Sequence, residues 1–139
     1  MAATLSTVST ATTNAPSVGR LLRDGVVASV LAAVATAAVA GAGQAAGISL
    51  NVSGAPIPVV GFAVMTAIFA TVGLLIALGL RRFTARPRTA WLRTTVVLTA
   101  LSFVPDLLSD AAPTTKALLM TTHLIAAVII VPAVARRLS

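Results

Sequence analysis

The chain has no cysteine, a single histidine and only three acidic residues among its 139 positions. The absence of cysteine excludes disulfides, thiolate metal sites and thiol redox chemistry, including that of quinone-reducing four-helix enzymes with an active dithiol. One histidine and three separated carboxylates cannot supply a zinc or di-iron ligand set within one protomer. Haem with one axial histidine has no supporting motif. We therefore expect neither a metal nor a cofactor.

Motifs of the common catalytic classes are also missing. The sequence contains no glycine-rich phosphate loop and no nucleophile elbow. Its first apolar segment lacks an acidic residue, on which proton-coupled small multidrug exporters of comparable length depend. These absences argue against phosphate chemistry, against serine hydrolysis and against export by that mechanism.

What the sequence has in abundance is apolar residues. It is 58% hydrophobic and 9% charged, with a mean hydropathy of +1.02, which is outside the range of ordinary soluble domains. Four apolar runs are each long enough, at about 1.5 Å per residue, to cross a hydrocarbon core about 30 Å thick. The sequence therefore predicts an all-α integral membrane bundle of four transmembrane helices, with spans at about 25–46, 59–80, 91–109 and 114–135.

The basic residues predict how these spans are oriented. Nine arginines fall on one side of the predicted membrane and Lys116 alone on the other. The positive-inside rule then places both termini in the cytoplasm of a multi-pass protein of the bacterial inner membrane. No nucleic-acid recognition motif accompanies the charge, so no nucleic acid is expected as a partner. Anionic lipid headgroups are expected instead, through Arg81, Arg82, Arg86 and Arg88.

The remaining segments divide the chain further. Residues 1–19 lack charge and periodicity and predict a disordered cytoplasmic tail, which leaves 20–139 as the transmembrane domain. A cleavable signal peptide is an alternative reading of the first span, because Ala40-Gly41-Ala42 follows an apolar core. The apolar run continues past these small residues, which favours a retained span. In the loop 44–58, Ile48, Leu50 and Val52 alternate with small or polar residues and predict an extended flap on the outer face.

Small residues recur along one face of each of the first two spans. Such seams allow helices to approach closely in a bilayer. Phe62 and Phe69 are expected to face lipid, and Trp91 is expected at the membrane interface. The first seam comprises Gly25, Ser29, Ala32, Thr36, Val39 and Gly43, and the second comprises Ala63, Thr66, Ala70, Gly73 and Ala77.

The third span carries a polar stripe. Its members are spaced by four, three, four and three residues, which places them on one helix face, expected to look toward the helix that bears His123. Counting from the outer turn puts Asp106 within ~5 Å of the outer end, level with Lys116, and His123 ~15 Å in, level with Thr99 and Ser102. The predicted pairs are Asp106 with Lys116 and His123 with a hydroxyl. The stripe consists of Thr95, Thr99, Ser102, Asp106 and Ser109.

Two roles are open for these residues, and the sequence favours the first. In one, a neutral His123 is hydrogen-bonded across the helix pair, fixes its register and belongs to a protein with a structural or accessory role. In the other, the protein is an isomerase or cyclase of a lipophilic metabolite, and catalysis falls to His123 and Asp106. Partners left open are that lipophilic small molecule and a second copy of the chain. The substrate-binding candidates are Thr95, Thr99, Ser102 and Met120.

The second half of the chain resembles a known family. The segments Ala90–Ser102, Thr115–Met120, His123-Leu124 and Ile129–Pro132 are similar to an uncharacterised, domain-of-unknown-function family of four-span actinobacterial integral membrane proteins. The resemblance implies the four-span topology and implies no activity. Asp106 departs from the family pattern, which is expected to have an apolar residue or proline there, and this weighs against a role for Asp106.

Overall fold

Four long helices make up most of the protein. The computed structural model describes residues 17–139, in which the helices are α1 (Val18–Ala45), α2 (Val59–Phe83), α3 (Pro87–Leu108) and α4 (Pro113–Ala135). All four are long and apolar enough to cross a membrane, which confirms the predicted all-α four-helix architecture. Residues 1–16 of the predicted tail lie outside the described residues.

The helix ends follow from local sequence. The Ser17 hydroxyl accepts a hydrogen bond from the backbone N–H of Arg20, so α1 begins at Val18, ahead of the predicted span. Pro87 and Pro113 occupy the first helical positions of α3 and α4, where the missing N–H removes no helical hydrogen bond. A capping serine and two prolines thereby fix three of the four helix starts.

The first helix is the centre of the bundle. It packs along both α2 and α4, whereas α3 packs mainly on α4 and makes few contacts with α2. The Thr36 and Thr66 hydroxyls meet at 2.9 Å between α1 and α2. A Cβ atom at Gly25 would overlap the end of the Leu74 side chain, which would have to shift to admit it. The buried face of α1 is a small-residue seam close to the predicted one, and it consists of Leu21, Gly25, Ala28, Ala32, Thr36, Ala40 and Gly43.

Larger side chains form a buried cluster at each end of this seam. At the end of the bundle that holds Leu21 and Leu138, here called the inner end, Trp91 is only 2% exposed and donates its indole N–H to the Val131 carbonyl at 3.1 Å. At the outer end Phe62 is buried, whereas Phe69 is exposed. The lipid-facing position expected for Phe62 is therefore wrong, and Trp91, expected at the membrane interface, is buried within the bundle. The inner cluster is Leu21, Leu74, Ala77, Trp91, Val134, Ala135 and Leu138, and the outer is Ala40, Leu50, Phe62 and Leu118.

The predicted flap is a short hairpin that covers the outer end of the bundle. Its strands are β1 (Asn51–Val52) and β2 (Ala55–Pro56), paired antiparallel. Both turn residues have positive φ, 51° at Ser53 and 78° at Gly54, as a two-residue type I′ turn requires. The Ser53 N–H donates to the Asp110 carbonyl at 2.8 Å, and the Thr115 hydroxyl donates to the Ser49 carbonyl. These bonds fasten the hairpin to the turn between α3 and α4.

Candidate functional site

The single histidine and a buried carboxylate meet between α3 and α4. His123 Nδ1 lies 2.9 Å from Asp106 Oδ2. The Asp106 side chain is 10% exposed and the His123 side chain 37% exposed. The structure therefore brings together the two residues that the sequence offered as candidates for proton transfer.

The partners predicted for these two residues are wrong. The Lys116 ammonium group donates a hydrogen bond to the Leu107 carbonyl at 2.8 Å, and His123 faces Asp106 rather than a hydroxyl. Helical side chains lean toward the N-terminus of their own helix. In the antiparallel pair α3 and α4 this lean carries the Asp106 carboxylate inward and the His123 imidazole outward, so residues on different levels of the two backbones meet.

The Asp106–His123 contact leaves one ring nitrogen accessible. Asp106 Oδ2 and His123 Nδ1 are both buried, and neither makes an aligned hydrogen bond within residues 17–139. Their 2.9 Å separation is nevertheless hydrogen-bond distance, so a small rotation of either side chain aligns the bond. Since Nδ1 is the buried nitrogen, the exposed part of the imidazole includes Nε2. The Phe103 ring stands edge-on to the imidazole, with 6.4 Å between centroids.

Three of the four hydroxyls of the polar stripe bond to their own helix. Thr95 donates to the Trp91 carbonyl at 2.9 Å, Ser102 to the Thr99 carbonyl at 2.7 Å, and Ser109 to the Asp106 carbonyl at 2.7 Å. Bonds of this kind satisfy a hydroxyl inside a bilayer without a partner on another helix. The stripe therefore contributes only Asp106 to the contact with His123.

A groove runs along the interface of α3 and α4 toward this pair. It is a shallow depression of about 530 Å³ that is widely open to the outside, and neither Asp106 nor His123 lines it. Two candidate residues, Thr95 and Thr99, line it, whereas Ser102 and Met120 are half-buried and do not line it. His123 lies one helical turn before the lining residue Ala127, on the same face of α4. The full lining is Thr95, Val96, Thr99, Ala100, Phe103, Ala127, Val128, Val131 and Pro132.

A second polar contact, at the inner end, was not predicted. The Arg137 guanidinium donates to Asp24 through Nε at 2.8 Å, and Arg23 donates to the other oxygen of the same carboxylate at 3.0 Å. The contact joins the start of α1 to the residues that follow α4. The sequence signal was available, because Asp24 is the only acidic residue among the basic residues of that end.

An aspartate against one nitrogen of a histidine is an arrangement suited to proton transfer. The carboxylate can hold the Nδ1 proton and orient the ring, which leaves Nε2 to accept or donate a proton. Within residues 17–139 no group of three His, Cys, Asp or Glu side chains is placed to hold a metal ion. The geometry of the Asp106–His123 pair is one that suits general acid–base chemistry.

Comparison with known proteins places this architecture in a family. A family model described as a family of unknown function (DUF6069) matches residues 16–139. A search of curated proteins gives no match, and neither does a search of solved structures. The match includes all four helices, the hairpin, the Asp106–His123 contact and the groove.

Proposed function

We propose that this chain, which belongs to the family of unknown function DUF6069, is a multi-pass bacterial inner-membrane protein whose Asp106–His123 pair exchanges protons with a lipophilic small molecule. The observation that carries the proposal is the 2.9 Å contact between the only histidine and a buried carboxylate. Ionisable residues inside a membrane are expensive to bury, so they commonly mark functional sites.

The surroundings of the pair support acid–base chemistry on a substrate that arrives from the bilayer. Asp106 would fix the imidazole through Nδ1, and Nε2 of His123 would remove or deliver a proton. The groove is within the 300–1,000 Å³ typical of small-molecule sites, and its lining is mostly apolar. Proton removal and return on a lipophilic molecule correspond to an isomerisation or a cyclisation.

A structural or accessory role is the second candidate. It is favoured by the hydroxyls of Thr95, Ser102 and Ser109, which are already bonded to their own helix and make no bond to the histidine. In this role the Asp106–His123 contact fastens α3 to α4 and performs no chemistry. The two candidates predict different phenotypes for variants that change the proton-carrying atoms and keep the fold.

Complementation of a strain that lacks the protein would separate these candidates. We expect Asp106→Asn and His123→Gln each to reproduce the deletion, because both keep side-chain volume and polarity while removing the acid or the base. Asp110→Asn, the same change at an exposed acid in the outer turn, is the matched control and should complement. The measurement is mass spectrometry of lipid extracts at equal membrane abundance of each variant. Full complementation by both site variants would refute proton exchange and leave the accessory role.

We further propose that both termini are cytoplasmic. The proposal is supported by the arginines that lie at one end of the bundle, where Arg82, Arg86 and Arg88 are exposed. Anionic headgroups of the inner leaflet would favour this orientation by about 1 kcal/mol for each arginine near the surface.

Cysteine labelling tests this orientation directly, since the chain has no native cysteine. A membrane-impermeant maleimide added to intact spheroplasts should label cysteine placed at Val52 or Ala111, and it should miss cysteine placed at Thr84. Permeabilised cells provide the control, because all three positions should then react. Labelling of the Thr84 position alone in intact spheroplasts would show that the topology is the inverse of the proposed one.

A further inference from the structure

We propose that the groove between α3 and α4 offers hydrogen-bond acceptors at its inner end. It therefore selects a lipophilic molecule that carries a donor there, which is an alcohol or a phenol. This inference rests on the proposed function in one respect, that the bound molecule is a substrate. It adds the chemical class of that molecule and the direction in which it lies in the groove.

The first polar group in the groove offers only an acceptor. The single hydroxyl proton of Thr95 is directed at the helix carbonyls of Trp91 and Leu92, at 2.9 and 3.2 Å. A hydroxyl has one proton and two lone pairs, so what Thr95 has left to offer is a lone pair. A molecule that meets this side chain gains a hydrogen bond only by donating one.

The second polar group is a backbone carbonyl on the opposite wall. In a helix the Val128 carbonyl would accept from the N–H of residue 132, but that residue is proline and has no N–H. Val128 and Pro132 both line the groove, and this carbonyl belongs to the helical turn that joins them. A backbone carbonyl that lacks its helical donor inside a bilayer is destabilising unless another donor reaches it.

The groove has one further polar side chain, that of Thr99. The other lining side chains are those of valine, alanine, phenylalanine and proline, which have no N–H or O–H, apart from the Thr99 hydroxyl. Thr99 can donate one proton and can accept as well. A hydroxyl group of the ligand therefore complements the inner end of the groove, and an ether oxygen at the same place would face the Thr95 and Val128 oxygens without a proton between them.

The length of the groove sets the reach of this ligand. From Thr95 to Phe103 the helix advances eight residues, or about 12 Å. Phe103 lies edge-on against His123, so a molecule anchored at Thr95 brings its other end to the His123 side of the groove. The geometry fits a molecule about 12 Å long with its hydroxyl at one end and its reacting atoms at the other.

A matched pair of ligands tests the donor requirement in the full-length protein. The probes are 4-phenylphenol and its methyl ether, titrated into nanodiscs that contain the protein, with empty nanodiscs to subtract partition into lipid. We expect the phenol to bind on the order of tenfold more tightly than the ether, as one hydrogen bond provides. Thr95→Val should reduce this ratio to at most about threefold, because it removes the acceptor and keeps the shape.

Further variants serve as controls and as an independent test. Pro132→Ala supplies the missing N–H to the Val128 carbonyl and should also reduce the ratio while preserving the helix. Thr71→Val removes a hydroxyl with the same bond to its own helix, at 2.8 Å to the Ala67 carbonyl, but on the exposed face of α2. That variant should leave the phenol preference unchanged.

The outcomes separate this inference from the proposed function. Equal binding of phenol and ether by the wild-type protein would overturn the donor requirement, as would a preference that survives both Thr95→Val and Pro132→Ala. His123→Gln should still bind the phenol, because the anchor lies at the other end of the groove. If the His123 and Asp106 variants complement the deletion strain while the phenol preference persists, proton exchange fails and the binding site stands.

Discussion

Asp106→Leu is expected to lower the free energy of unfolding by about 2 kcal/mol, because it leaves the buried Nδ1 of His123 without a partner. His123→Leu should lower it by a similar or larger amount, since the Asp106 carboxylate is the more deeply buried of the two side chains. The double variant removes both polar groups together. We expect it to be close to wild type in stability, as are many buried ion pairs replaced by apolar residues of similar size.

Reversible unfolding in detergent micelles would measure this double-mutant cycle. Asp110→Leu, at an exposed acid in the neighbouring turn, is the control and should change stability by no more than about 0.5 kcal/mol. Strict additivity of the two single effects would mean that Asp106 and His123 do not interact. A coupling near zero would thus remove the contact on which both candidate functions depend.

Trp91→Ala is expected to produce the larger loss of stability, about 3–5 kcal/mol. The indole fills the inner cluster between α2, α3 and α4, and its N–H is bonded to the Val131 carbonyl. Trp91→Phe should restore most of the volume and retain a deficit of about 1 kcal/mol for the missing hydrogen bond. Thermal melting in nanodiscs gives the ranking of the three proteins.

An aromatic residue that faces lipid provides the comparison for Trp91. Phe69 is 67% exposed on α2, and Phe69→Ala should shift the melting temperature far less than Trp91→Ala does. This contrast separates loss of internal packing from a general effect of removing a ring from a membrane protein. Similar shifts for both variants would place the Trp91 ring at the lipid surface rather than inside the bundle.

Sequence was sufficient for the four helices because a bilayer imposes one requirement on every span. About 20 apolar residues must cover the hydrocarbon thickness, and four such runs are visible in the chain. Hydropathy marks the part of a helix inside that thickness and says little about where the helix starts. The first turns of α1 therefore lie outside the predicted span, because Ser17 caps a segment that contains Arg20, Arg23 and Asp24.

The candidate site was predictable in its members and not in its contacts. Asp106 and His123 stood out because charge and imidazole are rare in apolar spans, but residue counting measures Cα levels and omits the direction of side chains. The burial of Trp91 was missed for a related reason. A lipid-facing tryptophan and a buried one look alike in one sequence, because burial depends on which residues of the other helices pack around the indole.

The contact between Asp24 and Arg137 places the beginning of the described chain against its end. During synthesis α1 enters the membrane first, yet one of the two helices that cover its small-residue face, α4, is the last to be made. Until then Arg23, the neighbour of Asp24, is the counter-ion already in place. Packing of α1 against both of its neighbours is therefore complete only once α4 has been made, and Arg137 then joins Arg23 at the Asp24 carboxylate.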